Sequence, residues 1–356
     1  MFKSLVSSFK KKLIAKKARK KSLFIHAGTY KTGTTYFQHR LYHNRERLRE
    51  AGIYYPVTGL GLHTNHNRFA HRVLGVNILT GRKYGGLSKI LTHLQDTPEI
   101  NSALISYEGF GRAGAVEKIK THALELNEFD VHAMLVFRPH MDFALSLYRE
   151  LCQHVLFGAG FTQLFDATVP LAQTWSKTLE YRSIIEAWQG FVGRRQLHVH
   201  SYRQIKSDLV GTLMKDVGYE GALEEPDDQK RNLTLSAPGA KVMRRINAVK
   251  MPAKLRHAIA QEVGRVDKGF PSFSRFCEIT EDQARSMEQR FEADREYLRK
   301  FGFDPKADLM LGDSWRWGTD TNMDEATDEL HDALIVAFDD KGEPMLQDLV
   351  RKARIV

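Results

Sequence analysis

The sequence predicts an α/β protein with three layers, a mostly parallel sheet flanked by helices. Three observations predict it. Short apolar runs alternate with amphipathic stretches across residues 22–311, and the first run ends in a glycine-rich turn that opens a helix. A chain of 356 residues that is 42% hydrophobic and 10% aromatic can also bury the large core such a fold needs.

Taken in order, SLFIHA is the first strand candidate. It leads through Gly28 into KTGTTYFQHRLYHNRERLREAG, which keeps helical periodicity up to a stop at Gly52. NSALISYE, HAMLVFRP and QLHVHSY are three further strand candidates, each followed by a polar or helical stretch such as DFALSLYRELCQHVL. Alternation of this kind sets strands parallel and places ligands at their carboxyl ends. Beyond Pro238, KVMRRINAV and EDQARSMEQRFEADREYLRKF read as helices that pack around the sheet. No repeat or low-complexity linker interrupts residues 22–311, which are expected to form one domain. Residues 312–356 are acid-rich and read as a C-terminal appendage, with MDEATDELHDALIVAFDD as an amphipathic helix.

The net charge of +10 would suggest nucleic acid if it were spread over the fold. It is concentrated instead. Residues 1–22 carry nine Lys or Arg and no Asp or Glu, leaving the remainder near +1, so no nucleic-acid partner is expected. Phe2, Leu5, Val6, Phe9, Leu13 and Ile14 interleave with these cations. Residues 1–21 therefore read either as a solvated leader or as a basic tail for peripheral contact with an anionic membrane. The apolar core of a signal peptide is missing, and no run approaches the roughly 18 apolar residues of a spanning helix. Cys152 and Cys277 form no CxxC or Cys/His pattern, which favours a reducing, cytoplasmic setting, with the membrane's inner surface as the place for peripheral contact.

The chemistry is concentrated in GTYKTGTT. Gly28 and Gly33 have the separation of a nucleotide P-loop, and Thr34 and Thr35 stand where that motif has Lys and Ser/Thr. The lysine is displaced to Lys31. The backbone logic survives, because the amides of Thr32, Gly33, Thr34 and Thr35 lead into a helix N-terminus that favours an anion. Downstream, RPHMDFALS offers Arg138 as a bidentate fork for phosphate and Ser146 eight residues later in the helix that Pro139 opens.

With KTGTT at Lys31 to Thr35 and the Arg138/Ser146 pair, the chain resembles the sulfotransferases that use 3′-phosphoadenosine 5′-phosphosulfate (PAPS). Bacterial members, which often carry a Gln at the place of Gln38, are especially similar, and the resemblance covers roughly residues 23–303. It implies a P-loop NTPase-like sulfotransferase fold over residues 22–311. It also implies that the loop, with Lys31, Thr32, Gly33, Thr34 and Thr35, holds the phosphosulfate of PAPS. Arg138 and Ser146 would hold the 3′-phosphate, and Tyr36 or Tyr202 would lie near the adenine. No metal is expected. The RKGxxG segment of cytosolic animal members is absent, leaving Arg231 and Asn232 as substitutes for its phosphate contact.

The family's base is a His or a Glu. Glu108, at the end of ALISYE, stands in the corresponding element, with His63, His66 and His71 as rivals. The acceptor implied is a hydroxyl on a carbohydrate or glycolipid, with residues 59–86 and 157–174 shaping its site. Two other readings stay open, a P-loop kinase that requires Mg²⁺ and a non-catalytic protein that keeps a nucleotide fold.

Overall fold

The computed structural model describes residues 20–61, 64–74, 86–155, 157–166, 168, 176–226, 234–311 and 322–355. The expectations for the basic tail, His63, Arg231, Asn232 and parts of the segments 59–86 and 157–174 lie outside these residues.

Five parallel strands form one sheet in the order β2-β3-β1-β4-β5. They are β1 (Ser22–His26), β2 (Ile53–Tyr54), β3 (Ser102–Ser106), β4 (Asp130–Phe137) and β5 (Leu197–Ser201). The four apolar runs become β1, β3, β4 and β5. The extra strand, β2, is two residues on the sheet edge. It follows Gly52, whose φ of 78° turns the chain and whose carbonyl accepts from the amides of Asn101 and Ser102.

Alternation along the strands divides the core into two. Phe24, Leu104, Met134 and Val136 face one side, against Phe37 and Leu41 of α1 (Thr34–His43) and Leu213 of a helix at Leu209–Asp216. Leu23, Ile25, Ala103, Ile105, Leu135 and Phe137 face the other. There they meet α2 (His140–His154), α3 (Tyr181–Val192, with Trp188 fully buried) and the later helices. Helices on both faces of a parallel sheet are the three predicted layers.

Two details differ from the sequence reading. The long amphipathic stretch after the loop is two helices, α1 and Arg45–Glu50, parted at Asn44. The Asn44 side chain donates to the carbonyls of Arg40 and Glu224 and accepts from the Glu224 amide, so tertiary bonds set the break. In the C-terminal segment, Asn322–Asp340 and Pro344–Ala353 are helices that pack on Ala237–Ala248 and Ala253–Asp267. Leu330, Leu334, Phe338 and Val350 belong to the same buried cluster as Leu135 and Trp188.

Candidate active site

The loop between β1 and α1 is carried at the carboxyl end of the sheet, next to β4. The amides of Ala27 and Thr29 donate to the carbonyls of Met134 (2.9 Å) and Val136 (3.3 Å), so the loop extends the pairing of β1 with β4 beyond the strand itself. The Thr29 hydroxyl also donates to Val136 O (2.9 Å), and the Thr32 hydroxyl closes the turn on Thr29 O (2.7 Å).

Two glycines are required on separate grounds. At Gly28 a Cβ would lie 2.7 Å from His26 Nε2, and at Gly33 the backbone is left-handed, with φ 75°. Lys31 is also left-handed (φ 65°), a conformation that L-residues adopt at a cost of about 1–2 kcal/mol. Its carbonyl accepts from Arg138 Nη1 at 2.9 Å, tying the strained residue to the end of β4. α1 then begins at Thr34, so the loop runs into a helix N-terminus, the end of a helix that favours an anion.

Behind the loop is a wall of buried polar groups centred on Ser106, the last residue of β3. Its hydroxyl accepts from Gln38 Nε2 (3.0 Å) and lies 2.7 Å from His26 Nδ1, and its amide donates to His66 Nδ1 (3.1 Å). His66 Nε2 therefore carries the proton and donates to Pro56 O at 2.8 Å. With both nitrogens engaged and no exposure, His66 has no lone pair free to act as a base. Burial pushes its pKa down to about 4, against the opposing pull of the Pro56 and Ser106 backbone bonds. Burial, with the charge of His200 adding to it, pushes His26 down to about 3. The wall is uncharged at neutral pH.

Glu108 lies in a short 3-10 turn just past β3 and is buried. Its Oε1 accepts from the Thr34 hydroxyl at 2.6 Å, so this carboxylate touches the loop from the wall side. His71 Nε2 lies 3.1 Å from the hydroxyl of the neighbouring Tyr107.

The front of the loop faces α2. Asp142, Ser146 and Glu150 are its half-buried residues at successive turns, between fully buried neighbours. Lys31 Nζ pairs with Glu150 Oε2 at 3.0 Å, which turns this face, and Ser146 with it, toward the loop. Arg138 has Asp142 Oδ2 at 4.0 Å, and the same oxygen accepts from Arg203 at 3.2 Å. Arg138 Nε is buried without a partner.

Tyr202 opens a short helix at the end of β5. Its ring lies under Arg138 (5.8 Å) and about one contact distance from Gly33, where a Cβ would come within 3.5 Å of Tyr202 Cε2. Tyr36 points elsewhere: its exposed ring donates through the hydroxyl to Glu225 Oε1 at 3.0 Å and packs beside Arg40.

The fold thus gathers Lys31, Thr32, Gly33, Thr34, Arg138, Tyr202 and the Ser146 face around one loop, with Glu108 behind it and Tyr36 on the rim. Sequence reasoning missed Glu150 and the Asp142–Arg203 pair. The spacing of four from Asp142 to Ser146 to Glu150 was the available signal. Among the described residues no group of three or more His, Cys, Asp or Glu is arranged to hold a metal ion, and no helix is long and apolar enough to cross a membrane.

No family model matches the chain, and no curated protein matches it. Among solved structures it is similar to the crystal structure of a sulfotransferase from Alicyclobacillus acidocaldarius. The identity is 13% and the TM-score 0.45, over 81% of this chain and 97% of that one. That likeness is too distant to assign a role to any residue.

Proposed function

We propose that the protein is a sulfotransferase that moves the sulfuryl group of PAPS to an acceptor hydroxyl. The observation that carries this reading is Arg138. It is a largely buried guanidinium bound to the carbonyl of the loop lysine, and it keeps an unpartnered Nε and a carboxylate only at 4.0 Å. A buried cation with spare donors beside a loop of helix-start amides fits a ligand with two anionic ends.

In this reading the amides of Thr32 to Thr35 and Lys31 hold the phosphosulfate. Arg138 and Ser146 hold the 3′-phosphate, and Tyr202, beside Gly33 and Arg138, flanks the adenine, whereas Tyr36 is turned to Glu225. The acceptor oxygen forms a bond to sulfur while the bond from sulfur to the phosphate oxygen breaks. Lys31 stabilises the charge on the leaving oxygen, and Glu108 takes the acceptor's proton. The acceptor is a carbohydrate or glycolipid hydroxyl, by analogy with similar bacterial proteins, and the basic tail holds the protein at an anionic membrane surface.

A second reading, a metal-dependent P-loop kinase, is favoured by the Thr34–Glu108 pair, a loop hydroxyl bonded to a carboxylate at a strand end. Calorimetric titration with adenosine 3′,5′-bisphosphate and with ATP separates the two. Binding of the bisphosphate alone, with sulfuryl transfer persisting in excess EDTA, is expected. Preferential ATP binding with a strict Mg²⁺ requirement would replace the first reading by the second.

A further inference from the structure

Glu150 is a carboxylate on the open side of the loop that neither reading uses. It lies one turn beyond Ser146, and its Oε2 is 3.0 Å from Lys31 Nζ. The two side chains differ in access, with Lys31 17% and Glu150 36% exposed. The lysine is the more enclosed of the two, while solutes can reach the carboxylate. Lys31 comes from a backbone pinned in the left-handed region by the Arg138 bond, so the direction of its side chain is set by the loop and α2 together.

A lysine has three N–H donors on one nitrogen, and an oxyanion cradled by the loop amides would need at least one of them. A carboxylate already on that nitrogen is a like charge to any such anion. The two repel across a few ångströms in a half-buried setting, where the repulsion is only partly screened. Glu150 is more exposed than Lys31, so the carboxylate can turn to solvent when it leaves the lysine. His154 follows one turn further along α2, where burial keeps its imidazole below its ordinary pKa against the charge of Glu150.

We propose that Glu150 competes with the incoming oxyanion for Lys31, so that the lysine is handed from the carboxylate to a phosphate or sulfonate oxygen as the ligand enters. Glu150 is a specificity-determining residue in this scheme. Only an anion that also engages the loop amides displaces it, and simple monoanions do not. The identity of the anion as PAPS rests on the reading above, but the competition itself does not.

Glu150→Gln keeps the shape of the side chain and removes its charge, and two measurements follow it. In the first, acetic anhydride labels Lys31 and peptide mass spectrometry follows the rate, with inorganic pyrophosphate as the protecting anion. The variant is expected to label faster, and to be half-protected at about tenfold lower pyrophosphate, equivalent to roughly 1.4 kcal/mol. Equal labelling, or half-protection at the same concentration in both chains, overturns the competition, as does failure of pyrophosphate to protect either. In the second, the variant binds adenosine 3′,5′-bisphosphate about tenfold more tightly by calorimetry. Binding that is unchanged or weaker overturns the proposal. Pyrophosphate protection with no bisphosphate binding to either chain leaves the competition standing and removes PAPS as the ligand.

Discussion

Lowering the pH from 7 to 5 should weaken the wall behind the loop, because His26 and His66 cannot take up a proton where they sit. Both are fully buried, and burial is the first cause that brings them from the ordinary 6.5 down to about 3 and about 4. Between pH 6.5 and about 4 the unfolded chain binds protons at these positions that the folded chain refuses, so stability is complete above 6.5 and is lost as the pH falls. Each histidine removes about 1.4 kcal/mol per pH unit in that window, hence about 2 kcal/mol each and about 4 kcal/mol together at pH 5. Against a typical total of about 5–15 kcal/mol, that is a large part. Urea unfolding at pH 7, 6 and 5, followed by far-ultraviolet circular dichroism, measures it. Other groups titrate too, so the decisive comparison is with His66→Gln. This variant is expected to be less stable at pH 7 by about 1–3 kcal/mol, because it keeps only one of the two bonds. Its stability should nonetheless fall less steeply between pH 6 and 5, by about 1.4 kcal/mol per unit. Parallel pH dependence in the two chains would refute the assignment of His66 as a buried neutral group.

Lys31→Ala should lower sulfuryl-transfer turnover by about 10²-fold, on the order of 3 kcal/mol, while Arg138→Ala mainly raises the donor Kd. Wild-type turnover in Lys31→Ala would contradict the role given to the lysine. Glu108→Gln keeps an acceptor for the Thr34 hydroxyl and should retain donor affinity while losing about 10²-fold in rate. Full activity would move the base away from Glu108. Gly33→Ala places a Cβ 2.6 Å from Leu209 Cδ2 on a left-handed backbone. It should cost about 1–3 kcal/mol, read as a lowered Tm, with an unchanged melt counting against the strain. Deleting residues 1–20 should abolish sedimentation with phosphatidylserine vesicles and leave bisphosphate binding intact, since each surface cation contributes about 1 kcal/mol there. Equal sedimentation of both proteins would exclude the tail as the anchor.

Four strands were legible because each is an apolar run flanked by polar text, and the loop was legible because Gly28, Lys31 and Gly33 leave few alternatives to a tight anion-cradling turn. β2 was not, since two residues between Gly52 and a loop carry no period. The break at Asn44 was hidden because helical periodicity continues through it, and only contacts with Glu224, far along the chain, reveal it. Glu108 illustrates a different limit. A carboxylate at a strand end reads as accessible, yet its burial and its bond to Thr34 depend on how the segment after β3 folds back on the loop. There a Cβ at Gly111 would come within 2.9 Å of Ala27 O. The partner of Lys31 was hidden for a related reason: the spacing in α2 marks a face, but the left-handed backbone at Lys31 decides which residue of that face it meets.

The two sides of the loop differ in burial. Behind it, Ser106, Gln38, His26 and His66 form a buried network of neutral groups, and the Glu108 carboxylate beside them is bonded to the Thr34 hydroxyl. In front, Lys31 with Glu150, and Arg138 and Arg203 with Asp142, form ion pairs that are only partly buried. Partial burial lowers the desolvation penalty of each charge and lets partners exchange. The end of β4, through the carbonyls of Met134 and Val136 and through Arg138, holds the loop in place, while the front determines which anion it receives. On this division, substitutions behind the loop should change stability and pH dependence first, and those in front should change ligand affinity first. A variant of Ser106 that altered anion affinity at unchanged stability would break the distinction.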